Sequence, residues 1–190
     1  MDLIRTVGHG TLGPDELVAL LEAAGVDAVA DVRRYPGSRR HPHVGREAME
    51  GWLPGAGIEY RWIRGLGGRR PVVAGSRHVA LRNGSFRAYA DHMVSSEFAG
   101  GLAELSDIVA ERSVAVMCSE SLWWRCHRRL LADHLVLIGH IPVEHLFHDG
   151  RSAPHLPTPG ARVEADLVVY DTPHLGVPLP LDGLGPHESG

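Results

Sequence analysis

The chain has 190 residues, of which 44% are hydrophobic and 22% charged, a composition typical of a soluble globular protein of one domain. No apolar run approaches the roughly 18 to 20 residues that span a bilayer, and the first ten residues lack the apolar stretch of a signal peptide. Two cysteines are too few for a disulfide scaffold. We therefore expect a cytoplasmic protein and exclude membrane and secreted classes.

Positive charge is concentrated in the middle of the chain. All 19 basic residues are arginine, a bias that a GC-rich genome produces by itself. Residues 31–90 nevertheless hold twelve arginines and four acidic residues, a net charge of +8 in a chain whose net charge is −4. Because a guanidinium binds phosphate through two parallel donors, this segment predicts a surface that binds an anion, most simply phosphate.

The first elements predict a parallel βαβ unit. LIRTVGHG is typical of a short buried strand, and a helix then begins at Pro14 and ends before Gly25. VDAVADVR is a second buried strand, so the three elements fit within the about 35 residues of a right-handed crossover. Residues 36–57 predict a loop and a short helix, and IEYRWI predicts a third strand.

The second half continues the alternation of helices and strands. After a polar loop rich in glycine and arginine, a helical pattern covers residues 86–108. SVAVMCSE is the strongest buried strand, CHRRLLADHLVLIG predicts a helix, and VEHLF predicts a short strand. The expected fold is α/β in three layers, a mainly parallel sheet with helices on both faces.

Domain organisation follows from a change in composition after Gly150. We predict a single α/β domain over residues 1–150 and a C-terminal extension over 151–171, in which VEADLVVYD is a candidate edge strand. Residues 172–190 predict a tail that is disordered or wraps the surface.

Candidate functional residues cluster after the predicted strands, because ligands of parallel sheets bind at the carboxyl ends of the strands. We interpret four of these residues as catalytic: His9, Asp31, Glu120 and His127. A second group is expected to bind the substrate: Arg33, Ser38, Trp62, Cys118, Trp123, Trp124, Cys126 and Arg128. A third group is expected to bind phosphates of the backbone: Arg34, Arg39, Arg40, Arg64, Arg69 and Arg70.

Each interpretation has a structural alternative. Asp31 is equally well explained as the ion-pair partner of Arg33, and core packing explains Tyr60 and Trp62, which share one strand face, about as well as base stacking does. Trp123 and Trp124 are adjacent and cannot both face the same core, so we expect one of them to be exposed or to line a pocket. The two cysteines suit a metal site, a Cys–His nucleophile or a buried apolar contact. Zinc motifs usually have closer pairs and four ligands, so we predict no metal and no cofactor.

The motifs also resemble a known family, domain of unknown function 488. The resemblance covers residues 4–148 and depends on TVGHG, DVRRYPGSRRHP, YRWIRGLGG, FRAYADHMVSSEFAGGL, VAVMCSE and CHRRLLADHL. It implies a small bacterial or archaeal α/β protein and assigns no roles. Relatives usually have a serine or threonine at Gly10, and the SLWWR segment departs from them too, which indicates a divergent ligand. The signature positions are His9, Asp31, Arg33, Pro36, Ser38, Cys118, Glu120, Cys126, His127 and Arg128.

Three functions fit these residues, and a DNA glycosylase fits best. Cleavage of an N-glycosidic bond needs a carboxylate beside an oxocarbenium-like centre, and the base must be flipped out of a DNA duplex into an aromatic pocket. For the carboxylate we favour Asp31 over Glu120. The base is a damaged one, in DNA repair, or a modified phage base, in antiviral defence. The alternatives are a cysteine-dependent enzyme for a small phosphorylated or sulfur-containing substrate, and a nucleic-acid or nucleotide binding module without chemistry.

Overall fold

A six-stranded sheet runs through the protein between two layers of helices. The computed structural model describes residues 3–171. Five strands are parallel and the sixth, at one edge, is antiparallel, which confirms the predicted three-layer α/β fold. In spatial order the strands are β3 (Glu59–Trp62), β2 (Ala28–Asp31), β4 (Val114–Cys118), β1 (Ile4–Gly8), β5 (Val143–Leu146) and β6 (Ser152–Pro154).

Each face of the sheet has its own hydrophobic core. The helices are α1 (Pro14–Ala23), α2 (Arg46–Trp52), α3 (Gly84–His92), α4 (Ser96–Val109) and α5 (Arg128–Leu137). Leu17 of α1 and Met49 of α2 pack with Val29 on one face. Phe98 of α4 and Leu131 of α5 pack on the other.

The alternation of side chains along a strand separates the candidate residues between these two faces. Asp31 follows Val29 by two residues, so it points towards α1 and α2. Cys118 follows Val116 by two residues, and both belong to the core under α3, α4 and α5. Since β2 and β4 pair directly, Asp31 and Cys118 end neighbouring strands on opposite faces of the sheet.

The helical pattern over residues 86–108 forms two helices. α3 ends at His92, and the hydroxyl of Ser95 starts α4 by accepting a hydrogen bond from the main-chain nitrogen of Phe98 at 3.2 Å. The same hydroxyl lies 3.0 Å from Nδ1 of His92. The helical spacing of apolar residues continues across this break, so the sequence pattern alone predicts one helix. The N-cap at Ser95 makes it two.

The prediction of an edge strand in VEADLVVYD is wrong. This segment forms a separate antiparallel hairpin, β7 (Arg162–Glu164) and β8 (Leu167–Val169). Its turn residues, Ala165 and Asp166, have φ angles of 47° and 62°, as a tight two-residue hairpin turn requires. The edge strand of the sheet is instead β6, whose three residues give too short a pattern to predict.

The C-terminal extension packs on α5 through the buried carboxylate of Asp133. Its oxygens accept hydrogen bonds from Nε2 of His155 at 2.9 Å, from the main-chain nitrogen of Thr158 at 2.7 Å and from the hydroxyl of Tyr170 at 2.8 Å. The predicted tail, 172–190, lies outside the described residues. Over residues 3–171, no helix has the length and apolar character needed to cross a membrane.

Candidate functional site

A cleft of about 630 Å³ lies where β2 and β4 end, a size typical of small-molecule sites. Arg34 and Tyr35 come from the segment after β2, and Cys118 and Glu120 from the end of β4. The segment that leads into α5 adds further polar side chains to the same cleft: Arg125, Cys126 and His127.

Cys118, Cys126 and His127 form a compact group that we call the Cys–His cluster. Nδ1 of His127 lies 3.8 Å from Sγ of Cys118 and 3.5 Å from Sγ of Cys126. Nε2 of His127 lies 3.1 Å from the main-chain oxygen of Val32. Because a carbonyl oxygen only accepts, Nε2 carries the proton, and in the neutral ring Nδ1 therefore presents its lone pair to both sulfur atoms.

Rigid elements hold this cluster in place. Cys118 is the last residue of β4, and Cys126 and His127 immediately precede α5. A Cβ atom on Gly68 would lie 2.7 Å from Nδ1 of His127, so the loop passes the imidazole only because residue 68 is glycine. On another side the ring centroid of Tyr89 lies 4.9 Å from that of His127.

The surroundings of the cluster shift the pKa values of the two thiols in opposite directions. The hydrogen bond with Cys126 and burial raise the pKa of Cys118 well above its usual value. Burial also acts to raise the pKa of Cys126, but the hydrogen bond from Cys118 outweighs it and lowers this pKa well below the usual value. The charge of the Arg128 guanidinium acts to lower both pKa values, but for Cys118 it does not offset the rise.

Arg128 is buried beneath the cluster, so it is not available to bind a substrate. It is 1% exposed, and it donates to the main-chain oxygen of Glu120 and, at 3.5 Å, to the hydroxyl of Thr6. Within residues 3–171 no carboxylate forms an ion pair with it.

Asp31 lies outside the cleft, and its carboxylate is saturated with donors. It is fully buried and accepts hydrogen bonds from the main-chain nitrogen of Arg33 at 2.9 Å, from Nη2 of the same arginine at 2.5 Å and from the hydroxyl of Tyr60 at 2.6 Å. Burial and the charge of Asp31 raise the pKa of Tyr60, which therefore stays protonated as a donor. These contacts agree with the structural explanation of Asp31, in which the carboxylate is the ion-pair partner that holds Arg33 in place.

His9 belongs to this same buried group. Its Nε2 accepts from Nη1 of Arg33 at 3.3 Å, and its Nδ1 donates to the main-chain oxygen of Gly10 at 3.0 Å. Burial and the charge of Arg33 lower the pKa of His9 to about 4, so the ring is neutral near pH 7. The structure thus brings Glu120 and His127 to one cleft and does not bring His9 and Asp31 to it.

The three tryptophans expected to bind a base contact other parts of the protein. Trp62 donates from Nε1 to the main-chain oxygen of Arg33 at 2.8 Å. Trp123 stacks on His145 with ring centroids 3.9 Å apart, and Trp124 packs edge-on against Trp123 at 5.7 Å. None of the three lines the cleft, and packing accounts for each of them.

Only part of the predicted substrate and phosphate groups reaches the cleft. Arg33, Arg34, Arg69, Cys118 and Cys126 line it. Ser38 caps a local turn, since its hydroxyl accepts from the main-chain nitrogen of His41 at 2.9 Å. Arg70 is bound by Glu97 at 2.6 Å and by loop carbonyls. The remaining arginines are exposed and lie outside the cleft lining: Arg39, Arg40 and Arg64.

Several lining residues were missed by the sequence analysis. Arg125 directly precedes the signature positions Cys126, His127 and Arg128, and this position in the sequence could have indicated it. Phe86 comes from α3, which reaches the cleft from a distant part of the chain, and no local pattern indicates this. Tyr35 also lines the cleft and is 59% exposed.

Comparison with known proteins gives a family and no activity. Neither the curated proteins nor the solved structures contain a match to this chain. The model of the family described as "Domain of unknown function DUF488" matches residues 13–135, which is more than half of the chain and includes the Cys–His cluster and Glu120. The chain therefore belongs to the DUF488 family.

Proposed function

We propose that the protein is a hydrolase that acts on nucleic acid in this cleft, and most concretely a DNA glycosylase that excises a damaged or modified base. One observation carries the proposal. Arg34 lines the same cleft as Glu120, and its Nη1 atom is buried and has no hydrogen-bond partner among residues 3–171. Because an unsatisfied buried donor is costly, an anionic acceptor such as a phosphate oxygen is the natural partner for it.

The other lining cations support a phosphate-bearing substrate. Arg69 and Arg125 are both exposed at the cleft. Within residues 3–171 neither they nor Arg34 take part in an ion pair, so their charge is available to a ligand. Guanidinium groups bind phosphate in a bidentate manner, and their contribution to DNA binding depends strongly on salt.

Glu120 takes the catalytic role that the sequence favoured for Asp31. It is half-buried in the lining, and Oε1 is oriented by the main-chain nitrogen of Leu122 at 3.3 Å. In glycosidic hydrolysis this carboxylate takes a proton from the water whose oxygen bonds to the sugar carbon. The N-glycosidic bond breaks and the departing base receives a proton, so that one water is divided between sugar and base. Tyr35 and Phe86 line the same cleft and offer ring faces to a flipped base.

The test is incubation with DNA duplexes that each carry one damaged or modified base, followed by alkali to cut the strand at abasic sites. We expect a product with at least one duplex, and a roughly 100-fold or greater loss of rate in Glu120→Gln with binding retained. Glu144→Gln, a half-buried glutamate on β5 outside the cleft lining, is the matched control. DNA binding without product on every duplex would instead indicate a binding module.

A cysteine-dependent enzyme for a small phosphorylated or sulfur-containing substrate is the second candidate. The distance of 3.5 Å between Nδ1 of His127 and Sγ of Cys126 favours it, since a nucleophilic thiol needs an adjacent base that is itself oriented by a third group. Replacement of both cysteines by serine separates the candidates. A double variant that is still active on DNA rejects the cysteine mechanism, whereas loss of turnover supports it only if the wild-type protein keeps its activity after treatment with a chelator.

A further inference from the structure

We infer that the Cys–His cluster binds one soft divalent ion, with zinc as the expected metal and with Sγ of Cys118, Sγ of Cys126 and Nδ1 of His127 as its ligands. The inference about binding stands on the geometry alone. Its catalytic consequence, water activation in the cleft, rests on the proposed hydrolase function.

The positions of the three ligand atoms fit a tetrahedral zinc ion. With bonds of about 2.3 Å to sulfur and about 2.0 Å to nitrogen, a tetrahedral centre places sulfur and nitrogen about 3.5 Å apart. Nδ1 of His127 lies 3.5 Å from one sulfur and 3.8 Å from the other. All three ligand atoms lie within 4.8 Å of one another. A small movement of side chains is enough to close the site around an ion.

The imidazole is held as metal-binding imidazoles are held. Histidine ligands almost always donate their other ring nitrogen to a carboxylate, a carbonyl or water, which fixes the tautomer and the orientation of the ring. Here Nε2 donates to the main-chain oxygen of Val32, a fully buried residue directly after β2. This hydrogen bond therefore orients the ring so that the lone pair of Nδ1 points to the two sulfur atoms.

The donor set selects the metal. Two thiolates and an imidazole suit zinc and related soft ions, whereas Mg²⁺ and Ca²⁺ prefer oxygen ligands. Structural zinc sites have four protein ligands, and catalytic sites typically have three and an open position. The residues that carry the three ligands all line the cleft, so a fourth position is accessible to water or substrate.

The seven residues between Cys118 and Cys126 explain why spacing alone did not predict this site. Zinc motifs are recognised by short spacings such as two to four residues between cysteines. Here the end of β4 and the start of α5 bring the two sulfurs together across the SLWWR segment, and His127 follows directly.

An ion at this position would give the cleft a water nucleophile near neutral pH, since zinc lowers the pKa of bound water to about 7. Glu120 lines the same cleft and is available to accept the proton of that water. One histidine, two cysteines and a glutamate that is not a ligand also activate water in zinc nucleobase deaminases, so the donor set is chemically competent.

The test is a titration of chelator-treated, reduced protein with Co²⁺ and then Zn²⁺. We expect one ion per chain, a thiolate-to-cobalt charge-transfer band, and displacement of Co²⁺ by Zn²⁺. The band weakens in Cys118→Ser and in Cys126→Ser and disappears when both cysteines are replaced, and affinity falls by about 10-fold or more in His127→Gln. His140→Asn, at an exposed histidine with a φ of 53° that asparagine tolerates, is the control and binds like the wild type.

Cobalt binding without the charge-transfer band, or affinity unchanged in the cysteine variants, overturns the inference. If a variant does not fold, the wild-type protein alone tests the site. Zinc should slow the reaction of both thiols with a maleimide. Equal reaction rates in zinc and in chelator would reject the site. Neither measurement uses a substrate. A metal-loaded protein that is inactive on all DNA therefore rejects the proposed function alone, and an active protein that binds no metal rejects this inference alone.

Discussion

Asp31 and Arg33 form a buried ion pair although they are only two positions apart in the sequence. Nη2 of the arginine lies 2.5 Å from Oδ2 of the aspartate, and the main-chain nitrogen of Arg33 lies 2.9 Å from Oδ1. The segment after β2 therefore turns back on its own last carboxylate. This pair fixes the direction in which the chain leaves the sheet, and Arg34 and Tyr35 then line the cleft.

The first prediction concerns the stability role of Asp31. Asp31→Asn leaves a buried guanidinium without its counter-charge, so we expect a loss of about 3 kcal/mol in the free energy of unfolding, measured by urea denaturation. Asp149→Asn, which removes an exposed ion pair with Arg151, should have a much smaller effect. An Asp31→Asn protein of wild-type stability would contradict the structural role.

The second prediction concerns Gly68. An added methyl group at this residue meets Nδ1 of His127 at 2.7 Å, so Gly68→Ala should displace the imidazole and weaken Co²⁺ binding by about 10-fold or more. Overpacking of this kind also destabilises by about 1 to 3 kcal/mol. Gly55→Ala is the matched control, because a methyl group there meets no atom of residues 3–171 within 4 Å. Equal cobalt affinities in the two variants would show that Gly68 does not position the ring.

The third prediction concerns phosphate binding. Each phosphate contact contributes about 0.9 to the slope of log affinity against log salt concentration. Arg34→Gln and Arg125→Gln should each weaken DNA binding and lower this slope by about that amount, as measured by fluorescence anisotropy at several salt concentrations. Arg61→Gln is the control, because Arg61 is exposed, pairs with Glu59 and lies outside the cleft lining. An unchanged slope in both cleft variants would remove the electrostatic basis of the proposed function.

The fourth prediction concerns stability in acid. Burial and the charge of Arg33 lower the pKa of His9 to about 4, and burial and His155 lower the pKa of His145 to about 2. Between pH 6.5 and pH 4 the unfolded chain binds protons at these positions and the folded chain does not, so stability falls as the pH decreases. Thermal unfolding at successive pH values measures this loss.

The control for this pH dependence is substitution of one histidine at a time. His9→Asn retains a donor for the carbonyl of Gly10 but does not titrate, so the loss of stability between pH 6.5 and pH 4 should be smaller. His140→Asn, at an exposed position, should leave the dependence unchanged. A pH dependence identical in all three proteins would show that His9 does not contribute to it.

The fold was predictable because its strands are short, buried and rich in β-branched residues, and because helices alternate with them. SVAVMCSE, for example, gives β4 with every residue of Val114–Cys118 buried. The cap at Ser95 is a single residue and strand β6 has only three residues, so neither has a periodic pattern from which it could be predicted. The hairpin of β7 and β8 has the alternation of an edge strand, and only tertiary packing shows that it pairs with itself.

The sequence predicted which residues lie at the ends of strands, but not the face of the sheet to which each side chain points. Asp31 and Cys118 both end predicted strands, but their faces depend on the pairing of Asp31 with Met117, which is a property of the register between β2 and β4. Arg125 and Phe86 enter the cleft from segments whose placement depends on α5 and α3. The tryptophans looked functional because they are large and adjacent, and packing partners such as His145 lie far away in the chain.

The most direct measurement compares Glu120→Gln with Asp31→Asn in one assay of base release from modified duplex DNA. It is run under single turnover at a temperature where both variants are folded. We predict that Glu120→Gln loses about 100-fold or more in rate with DNA affinity intact, because it alone of the two lines the cleft, while the folded fraction of Asp31→Asn retains its rate. Normal release by Glu120→Gln together with an inactive but folded Asp31→Asn would contradict the assignment of this cleft as the catalytic site.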